Sequence, residues 1–202
     1  MAREGAADGG VVLGLDGIVR CPWCGGSADY VRYHDEEWGR PVRGDTAIFE
    51  RICLEAFQSG LSWLTILRKR PMFRLAFAGF DPRAVAEFDS SDVDRLMDDA
   101  GIVRNRNKIE ATIGNARAVV NLLDDAGDGA LDALFWSYGS GSRVRRPASM
   151  KEIAAATEGS RAMSAHLKGI GLRWVGPTTL YAAMQACGVV NDHLIGCAAG
   201  GE

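Results

Sequence analysis

Apolar residues recur at intervals of three and four along most of the chain, which is the spacing of amphipathic helices. This pattern predicts helices over residues 46–59, 63–69, 82–88, 92–100, 105–123, 131–138, 150–155, 161–168 and 178–186. No alternation of useful length predicts a strand, and no internal repeat is present. The sequence therefore predicts an all-α fold with short connections.

Capping residues and helix breakers set the ends of several of these helices. Asp45 is the predicted N-cap of the first helix, and Gly60 ends it. Pro71 is expected to stop the second helix, because proline disfavours helical backbone in the residue before it. Asp81-Pro82 supplies an N-cap followed by proline at the first helical position, where its missing N–H costs nothing.

A glycine-punctuated hairpin over residues 167–179 joins the last two predicted helices. Gly176 lies just before a helix N-terminus, where outward-pointing N–H groups favour an anion such as a DNA phosphate. Lys168 and Arg173 lie nearby, and residues 159–191 contain no acid. Lys168, Arg173 and Gly176 are therefore candidate DNA contacts, but the pattern alone slightly favours the alternative, a tight helix–helix turn with glycine at the cap.

The composition fits one globular domain. The chain has 202 residues, of which 47% are hydrophobic, enough for one sizeable core over residues 19–202. Residues 1–18 are rich in glycine and alanine, too polar for a signal peptide, and are expected to form a disordered tail. The net charge of −3 does not by itself indicate a nucleic-acid partner. No apolar run is long enough to span a membrane, so a soluble, cytoplasmic, monomeric protein is expected.

Paired Cys and His residues stand near the two ends of the chain. Cys21 and His34 lie near the start, and His193 and Cys197 lie four residues apart near the end. Two cysteines and two histidines form the closed tetrahedral site that structural zinc prefers. A shared metal would join the two ends of the chain. The alternative for each histidine alone is a packed core side chain. The odd total of five cysteines argues against a disulfide framework.

Several motifs together make a resemblance visible. They are YHDEEWG at 33–39, CLEAFQSGLSW at 53–63, IGNA at 113–116, and MQACG, NDH and GC between 184 and 197. From about residue 20 to residue 197 the chain resembles the 3-methyladenine DNA glycosylase I family. The resemblance implies a helix-hairpin-helix glycosylase fold, one structural Zn²⁺ per chain, and hydrolytic release of 3-methyladenine from alkylated double-stranded DNA during base excision repair.

Matching the family motif assigns the zinc ligands to Cys21, His34, His193 and Cys197. Cys24 leaves an alternative open, because Cys21-x-x-Cys24 is itself a metal-ligand spacing. Cys24 either competes for the metal or takes no part. The same pair resembles a redox motif, but no strand–helix–strand unit surrounds it, so redox chemistry is weakly supported.

The resemblance also assigns a base pocket. Glu55 interrupts an apolar helical run, and a carboxylate there is costly without a partner, although a surface position is the alternative. The family match makes it the base-recognition carboxylate and the expected catalytic residue. The remaining pocket residues are expected to be Trp63 for stacking, Tyr33 for hydrogen bonding, and Trp23 and Tyr30 as aromatic wall, with core packing as the alternative for each. Trp38 and Trp136 are expected to pack in the core.

A base inside a duplex must be flipped out before an enzyme can act on it. Leu61, in the turn before Trp63, matches the family's wedge into the vacated stack, with core packing as the alternative. The role of Asp192 stays open between catalysis and orientation of neighbouring residues. The competing hypotheses are a non-catalytic, zinc-stabilised DNA lesion-binding protein and, more weakly, a redox or metal-handling protein.

Overall fold

The computed structural model describes residues 10–139 and 145–201. The chain forms two short strands and a series of helices in this order: β1 Val12–Leu13, β2 Val19–Arg20, α1 Ala28–Glu36, α2 Asp45–Gln58, α3 Trp63–Ala76, α4 Pro82–Ala86, α5 Ser90–Asp98, α6 Arg106–Ala126, α7 Ala130–Ser137, α8 Glu158–Gly169 and α9 Pro177–Ala186. The predominantly helical prediction is confirmed. Among the described residues, no helix combines the length and apolar character needed to cross a bilayer.

Helix α2 lies at the centre of the main apolar core. It packs against α3, α6, α7 and α9, and nearly every residue from Ile48 to Phe57 is buried. Stacked and tilted phenylalanine rings fill the space between α2 and α3, with Phe57 and Phe73 only 4.7 Å apart at their centroids. Burial of each such ring contributes roughly 1.5–3 kcal/mol. Any polar side chain on this face of α2 is therefore enclosed by protein.

The prediction that Pro71 ends the second helix is wrong. Helix α3 continues through Pro71 to Ala76. Pro71 is exposed, whereas Phe73, further along the same helix, is completely buried in the main core. An interior proline costs about 3 kcal/mol. Burial of the following apolar residues offsets that cost, so tertiary packing overrides the local preference.

Asp45 does cap a helix, but not the predicted one. Gly44 is the N-cap of α2, and the Asp45 carboxylate instead accepts hydrogen bonds from the N–H groups of Gly129 at 2.6 Å and Asp132 at 3.0 Å, at the start of α7. Asp132 in turn accepts a bond from Gly44 N at 2.8 Å. The two aspartates therefore cap each other's helices and fix α7 against α2.

The N-terminal region is more ordered than predicted. β1 pairs antiparallel with β2, with Val12 opposite Arg20, so the disordered tail expected over residues 1–18 does not extend through residues 10–18. Residues 1–9 lie outside the described part. Helix α1 was not predicted, because its buried face is mainly Tyr33 and His34 and carries no apolar stripe. The helix predicted over residues 150–155 is only the 3-10 turn Met150–Glu152.

Helices α8 and α9 pack against each other and are joined by residues 170–176, as predicted. This hairpin is held by Asn115 of α6, whose side-chain amide donates to Arg173 O at 2.9 Å and accepts from Arg173 N at 2.7 Å. The next residue, Trp174, has a φ of +60°, a left-handed conformation that is unusual for a tryptophan. Asn115 thus fixes the backbone that leads into this strained position.

Replacement of Asn115 by alanine is expected to lower the free energy of unfolding by about 1–3 kcal/mol, because it removes both hydrogen bonds that the buried Asn115 side chain makes to the partly buried backbone of Arg173. Urea denaturation measures the effect. Asn121→Ala is the matched control, since Asn121 is an exposed residue of the same helix. Equal effects of the two substitutions would contradict this account of the hairpin.

Candidate functional site

A cavity of about 270 Å³ opens between α1, α2, α3 and α9. Five of its eleven lining residues are aromatic, and one is a carboxylate. The lining residues are Trp23, Tyr30, Tyr33, Trp38, Glu55, Gln58, Trp63, Met150, Ile153, Ala182 and Gln185. The structure therefore brings together all five side chains that were expected to form the base pocket. Trp38 was expected to pack only in the core, but it also lines this cavity.

Local structure holds the aromatic walls. Tyr30 and Tyr33 lie three residues apart on one face of α1, and Trp63 is the first residue of α3. The Tyr30 hydroxyl accepts a hydrogen bond from Leu64 N at 3.0 Å, which ties α1 to the start of α3. The rings of Tyr33 and Trp63 are 5.5 Å apart and tilted by 45°. Trp23 meets Tyr30 edge-on at 5.9 Å. These contacts form a rigid slot suited to a flat ring.

Glu55 projects from the buried face of α2 and is only 5% exposed. Burial raises the pKa of its carboxyl from the ordinary 4.5 to about 7, although Arg51 opposes this shift. The side chain forms no hydrogen bond with another described residue. The cavity thus contains an acceptor that a cationic ligand would complement.

Arg51 is a site residue that the sequence analysis missed. It lies one helical turn before Glu55, is 8% exposed, and donates a hydrogen bond to the Tyr33 hydroxyl at 3.2 Å. Its guanidinium carbon is 5.8 Å from the centroids of both the Tyr33 and the Trp63 rings. The signal that singled out Glu55, a charge within an apolar helical run, applies equally to Arg51.

Gln185 is a second residue at the cavity that the sequence analysis did not single out, and its hydrogen bond to Asp192 indicates the role of Asp192. Asp192 is 2% exposed and does not line the cavity. Its carboxylate accepts hydrogen bonds from the Tyr181 hydroxyl and from Gln185 Nε2, the latter at 2.8 Å. Gln185 itself lines the cavity. Of the two roles left open for Asp192, the geometry favours orientation of a neighbouring side chain.

A cluster of two sulfur and two nitrogen donors lies beside the cavity. The ligand atoms of Cys21, His34, His193 and Cys197 all lie within 4.8 Å of one another, and all four residues are buried. Cys197 Sγ is 3.4 Å from His34 Nε2 and 3.6 Å from His193 Nδ1. Hydrogen bonds from Cys21 and from the two imidazoles hold the pKa of the Cys197 thiol well below its usual value. This sulfur is thus already disposed to act as a thiolate ligand.

The remaining nitrogen of each histidine is fixed by a neighbour. His34 Nδ1 bonds Asp35 Oδ1 at 2.8 Å, and His193 Nε2 lies 3.1 Å from the carbonyl oxygen of Trp38. Such outer contacts orient metal-binding histidines. Asp35 also pairs with Arg20 at 2.7 Å, so strand β2 supports the cluster. Cys24 stands outside the four donors, and its thiol donates to Cys21 O at 3.1 Å. The donor set fits tetrahedral zinc.

The residues expected to contact DNA lie on exposed segments. Leu61 is 41% exposed in the turn between α2 and α3, and Lys168 and Arg173 are exposed on and beside the α8–α9 hairpin. Gly176 is the N-cap of α9. The core-packing alternative for Leu61 therefore does not hold. The structure adds Trp174, which is 42% exposed and was not singled out from the sequence.

Buried Lys108 connects the Leu61 turn with the hairpin. Its ammonium donates to Phe57 O at 2.9 Å and to Ser59 O at 2.7 Å, where α2 ends. The same ammonium lies 5.2 Å from the centroid of the Trp174 ring. One side chain thereby keeps the exposed Leu61 turn and the exposed hairpin next to each other.

The chain belongs to the methyladenine glycosylase family, whose sequence profile matches residues 23–200. It is 44% identical to DNA-3-methyladenine glycosylase 1 of Escherichia coli strain K12 over 180 residues, which cover 89% of this chain and 96% of that protein. The DNA-3-methyladenine glycosylase of Haemophilus influenzae is 40% identical over the same extent.

Solved structures agree with this assignment. A crystal structure of 3-methyladenine DNA glycosylase I matches with a TM-score of 0.84 and 42% identity, covering 89% of this chain and 98% of that one. A structure of the Staphylococcus aureus protein that addresses 3-methyladenine recognition also has a TM-score of 0.84, at 31% identity, with 91% and 97% of the two chains covered. A variant crystallised with 3-methyladenine gives 0.83 at 30% identity.

Glu55→Gln is expected to stabilise the protein increasingly as the pH rises. The pKa of Glu55 is higher in the folded state than in the unfolded state. The stability that the buried neutral carboxyl contributes to wild type is therefore fully present below pH 4.5 and is lost as the pH rises through about 7, where the carboxyl must ionise inside the protein. That loss is on the order of 3 kcal/mol. The free energies of unfolding of wild type and Glu55→Gln, measured at pH 5 and at pH 8, show how the difference between the two proteins changes with pH.

Glu110→Gln serves as the control for this substitution, because Glu110 is exposed on α6. Its stability relative to wild type should change little between the two pH values. A difference between Glu55→Gln and wild type that stays constant with pH would show that Glu55 is not desolvated in the folded protein.

Proposed function

We propose that this protein hydrolyses the N-glycosidic bond of 3-methyladenine in alkylated double-stranded DNA and releases the free base, the first step of base excision repair. The observation that carries the proposal is the buried Glu55 carboxyl in an aromatic cavity. The names of the relatives, and the 3-methyladenine bound to one similar structure, support the same substrate. The rest of the site fits this chemistry.

Recognition rests on charge and shape. Adenine methylated at N3 in DNA is a cation, whereas ordinary adenine is neutral. Glu55 accepts a hydrogen bond from the exocyclic amine and complements the charge. Trp63 stacks on the base, Tyr33 hydrogen-bonds it, and Trp23 and Tyr30 complete the wall. Each aromatic face attracts a cation by about 0.5–2 kcal/mol, depending on desolvation. The slot therefore selects the alkylated base.

The reaction breaks the bond between C1′ of the sugar and the purine. The bonding electron pair leaves with the base, which departs neutral. Water adds its oxygen to C1′, and its proton passes to solvent. A cationic purine is already a good leaving group, so the protein needs mainly to bind it and to stabilise positive charge developing on the sugar. Glu55 supplies the negative charge for this role.

DNA reaches the site through the exposed turn and the hairpin. The target nucleotide is flipped into the cavity, and Leu61 fills the gap that it leaves. The α8–α9 pair acts as a helix-hairpin-helix element, in which Lys168, Arg173 and the amides around Gly176 hold the phosphate backbone. The bridge formed by Lys108 supports a common DNA face for Leu61 and this hairpin.

One structural zinc is proposed at Cys21, His34, His193 and Cys197. With four protein ligands, none of its positions is left for a catalytic water. It joins the segment that carries Trp23 and Tyr33 to the segment after α9. The redox hypothesis finds no support, because Cys21 is directed into the four-donor cluster and Cys24 is buried beside it.

Wild-type protein incubated with methylated duplex DNA is expected to release free 3-methyladenine, which chromatography detects. Glu55→Gln should lower the release rate by about ten- to a hundredfold, since it removes a charge-assisted interaction of roughly 1.5–3 kcal/mol. Trp63→Ala should weaken binding of the free base by roughly tenfold, through loss of stacking.

Glu110→Gln should release the base at the wild-type rate. If folded wild-type protein binds methylated DNA but frees no base, the lesion-binding alternative replaces the enzyme. If the Glu55 and Trp63 variants behave as wild type, the base binds elsewhere.

Metal analysis is expected to find one zinc per chain. His193→Ala should lose the zinc and unfold at lower temperature, whereas Cys24→Ser should keep it, because the Cys24 thiol bonds the backbone carbonyl of Cys21 and is not one of the four donors. The pair of variants decides the ligand set. Zinc retained in His193→Ala, or lost from Cys24→Ser, would contradict it.

A further inference from the structure

Arg51 carries a positive charge into the wall behind the base cavity. The side chain is 8% exposed and does not line the cavity, and no carboxylate of the described residues lies within ion-pair distance of it. A buried charge without a partner costs several kcal/mol. A position so costly, hydrogen-bonded to the Tyr33 hydroxyl and 5.8 Å from the centroids of two rings that line the cavity, indicates a role in the site.

The groups facing Arg51 come from three parts of the fold. Glu55 follows it on α2, Tyr33 and Glu37 belong to α1 and its C-cap, and Cys187 is the C-cap of α9. Burial keeps Tyr33 neutral and raises the pKa of the Cys187 thiol to about 12. Glu37 is paired with Arg70 at 2.6 and 2.8 Å. Of these groups, Glu55 is the one carboxyl without another partner.

We propose that Arg51 is a positioning residue for base recognition, which holds the Tyr33 hydroxyl in place and sets a fixed positive charge one helical turn from the Glu55 carboxyl. This inference rests on the proposed function and deepens it. An ionised Glu55 accepts a strong, charge-assisted hydrogen bond from the exocyclic amine of the base, whether the base is the cation in DNA or the free base, whereas a protonated carboxyl is a weaker acceptor. Burial drives the carboxyl toward that form, and the guanidinium, which stays charged at every relevant pH, opposes it.

The placement of Arg51 separates this role from a direct contact with the ligand. Its guanidinium lies behind Tyr33 and Trp63, 5.8 Å from each ring centroid, so the slot between the rings and Glu55 stays open. Arg51 acts on the base only through Glu55 and Tyr33. Its loss should therefore change the pH dependence of binding, which a merely structural residue would not do.

The test compares Arg51→Met with wild type in binding of free 3-methyladenine, followed by tryptophan fluorescence between pH 5 and pH 9. Both proteins bind the same ligand, so any titration of the ligand cancels in the ratio of their affinities. The pH dependence of this ratio therefore reports only on groups of the protein. If loss of the guanidinium raises the pKa of Glu55 by one unit, Arg51→Met should bind the base about tenfold more weakly than wild type at pH 6. Its affinity should approach that of wild type toward pH 9, where Glu55 is ionised in both proteins. Arg51→Lys should keep the wild-type profile, because it retains the charge.

Arg74→Met is the matched control, since Arg74 pairs with Glu50 on the outside of α3. In a Glu55→Gln background, Arg51→Met should lose its pH-dependent effect, because the two changes act through one carboxyl. A ratio that is constant with pH in folded Arg51→Met, or a shift equally large in Arg51→Lys, would overturn the inference. Wild type that binds no 3-methyladenine at any pH would instead overturn the proposed function.

Should Arg51→Met fail to fold, carbon NMR of the Glu55 carboxyl in the wild-type protein decides the question. An ionised carboxylate at pH 8, with the same titration in Arg51→Lys, supports the role of Arg51. A carboxyl still mostly protonated at pH 8 overturns it.

Discussion

Two consecutive residues of α1 face different parts of the site, and the arrangement of the molecule depends on this fact. His34 turns into the Cys/His cluster, while Tyr33 turns into the cavity and meets Trp63 and Arg51. Any displacement of one side chain moves the other, because both belong to the same helical turn. The cluster and the aromatic slot are therefore linked mechanically through α1, although the four cluster residues do not line the cavity.

The residues that line the cavity were predicted better than the helices that carry them. Cys21 stands out by its type and spacing, whereas Glu55 and Trp63 were assigned through the resemblance to the glycosylase family. Helix α1 was not predicted because its buried residues, Tyr33 and His34, line the site and not an apolar core. The sequence there has no helical periodicity of apolar residues. The prediction that the second helix ends at Pro71 is wrong for the opposite reason. Burial of the apolar residues after the proline contributes more free energy than the proline costs.

Arg51 and Asp45 show a second limit of prediction from the sequence alone. Each was recognisable as polar, but its partner lies far along the sequence. Asp45 caps a helix that begins more than 80 residues later, and Arg51 bonds Tyr33 from another helix. Local rules identify that such groups need partners, and only the packed structure supplies them. Asp192 has nearer partners, but its bond to Gln185 likewise could not be predicted, because it depends on how the loop after α9 folds back onto that helix.

The separation along the chain between Cys21 and His193, 172 residues, has a consequence for biosynthesis. Contacts between such distant residues form after local ones, because the loop between them must first close. A nascent chain can pack α2 against α3, α6 and α7 as these helices emerge, but α9 and Cys197 come last. The order of synthesis thus makes the side of the molecule that holds the cluster and the slot the last part to be completed.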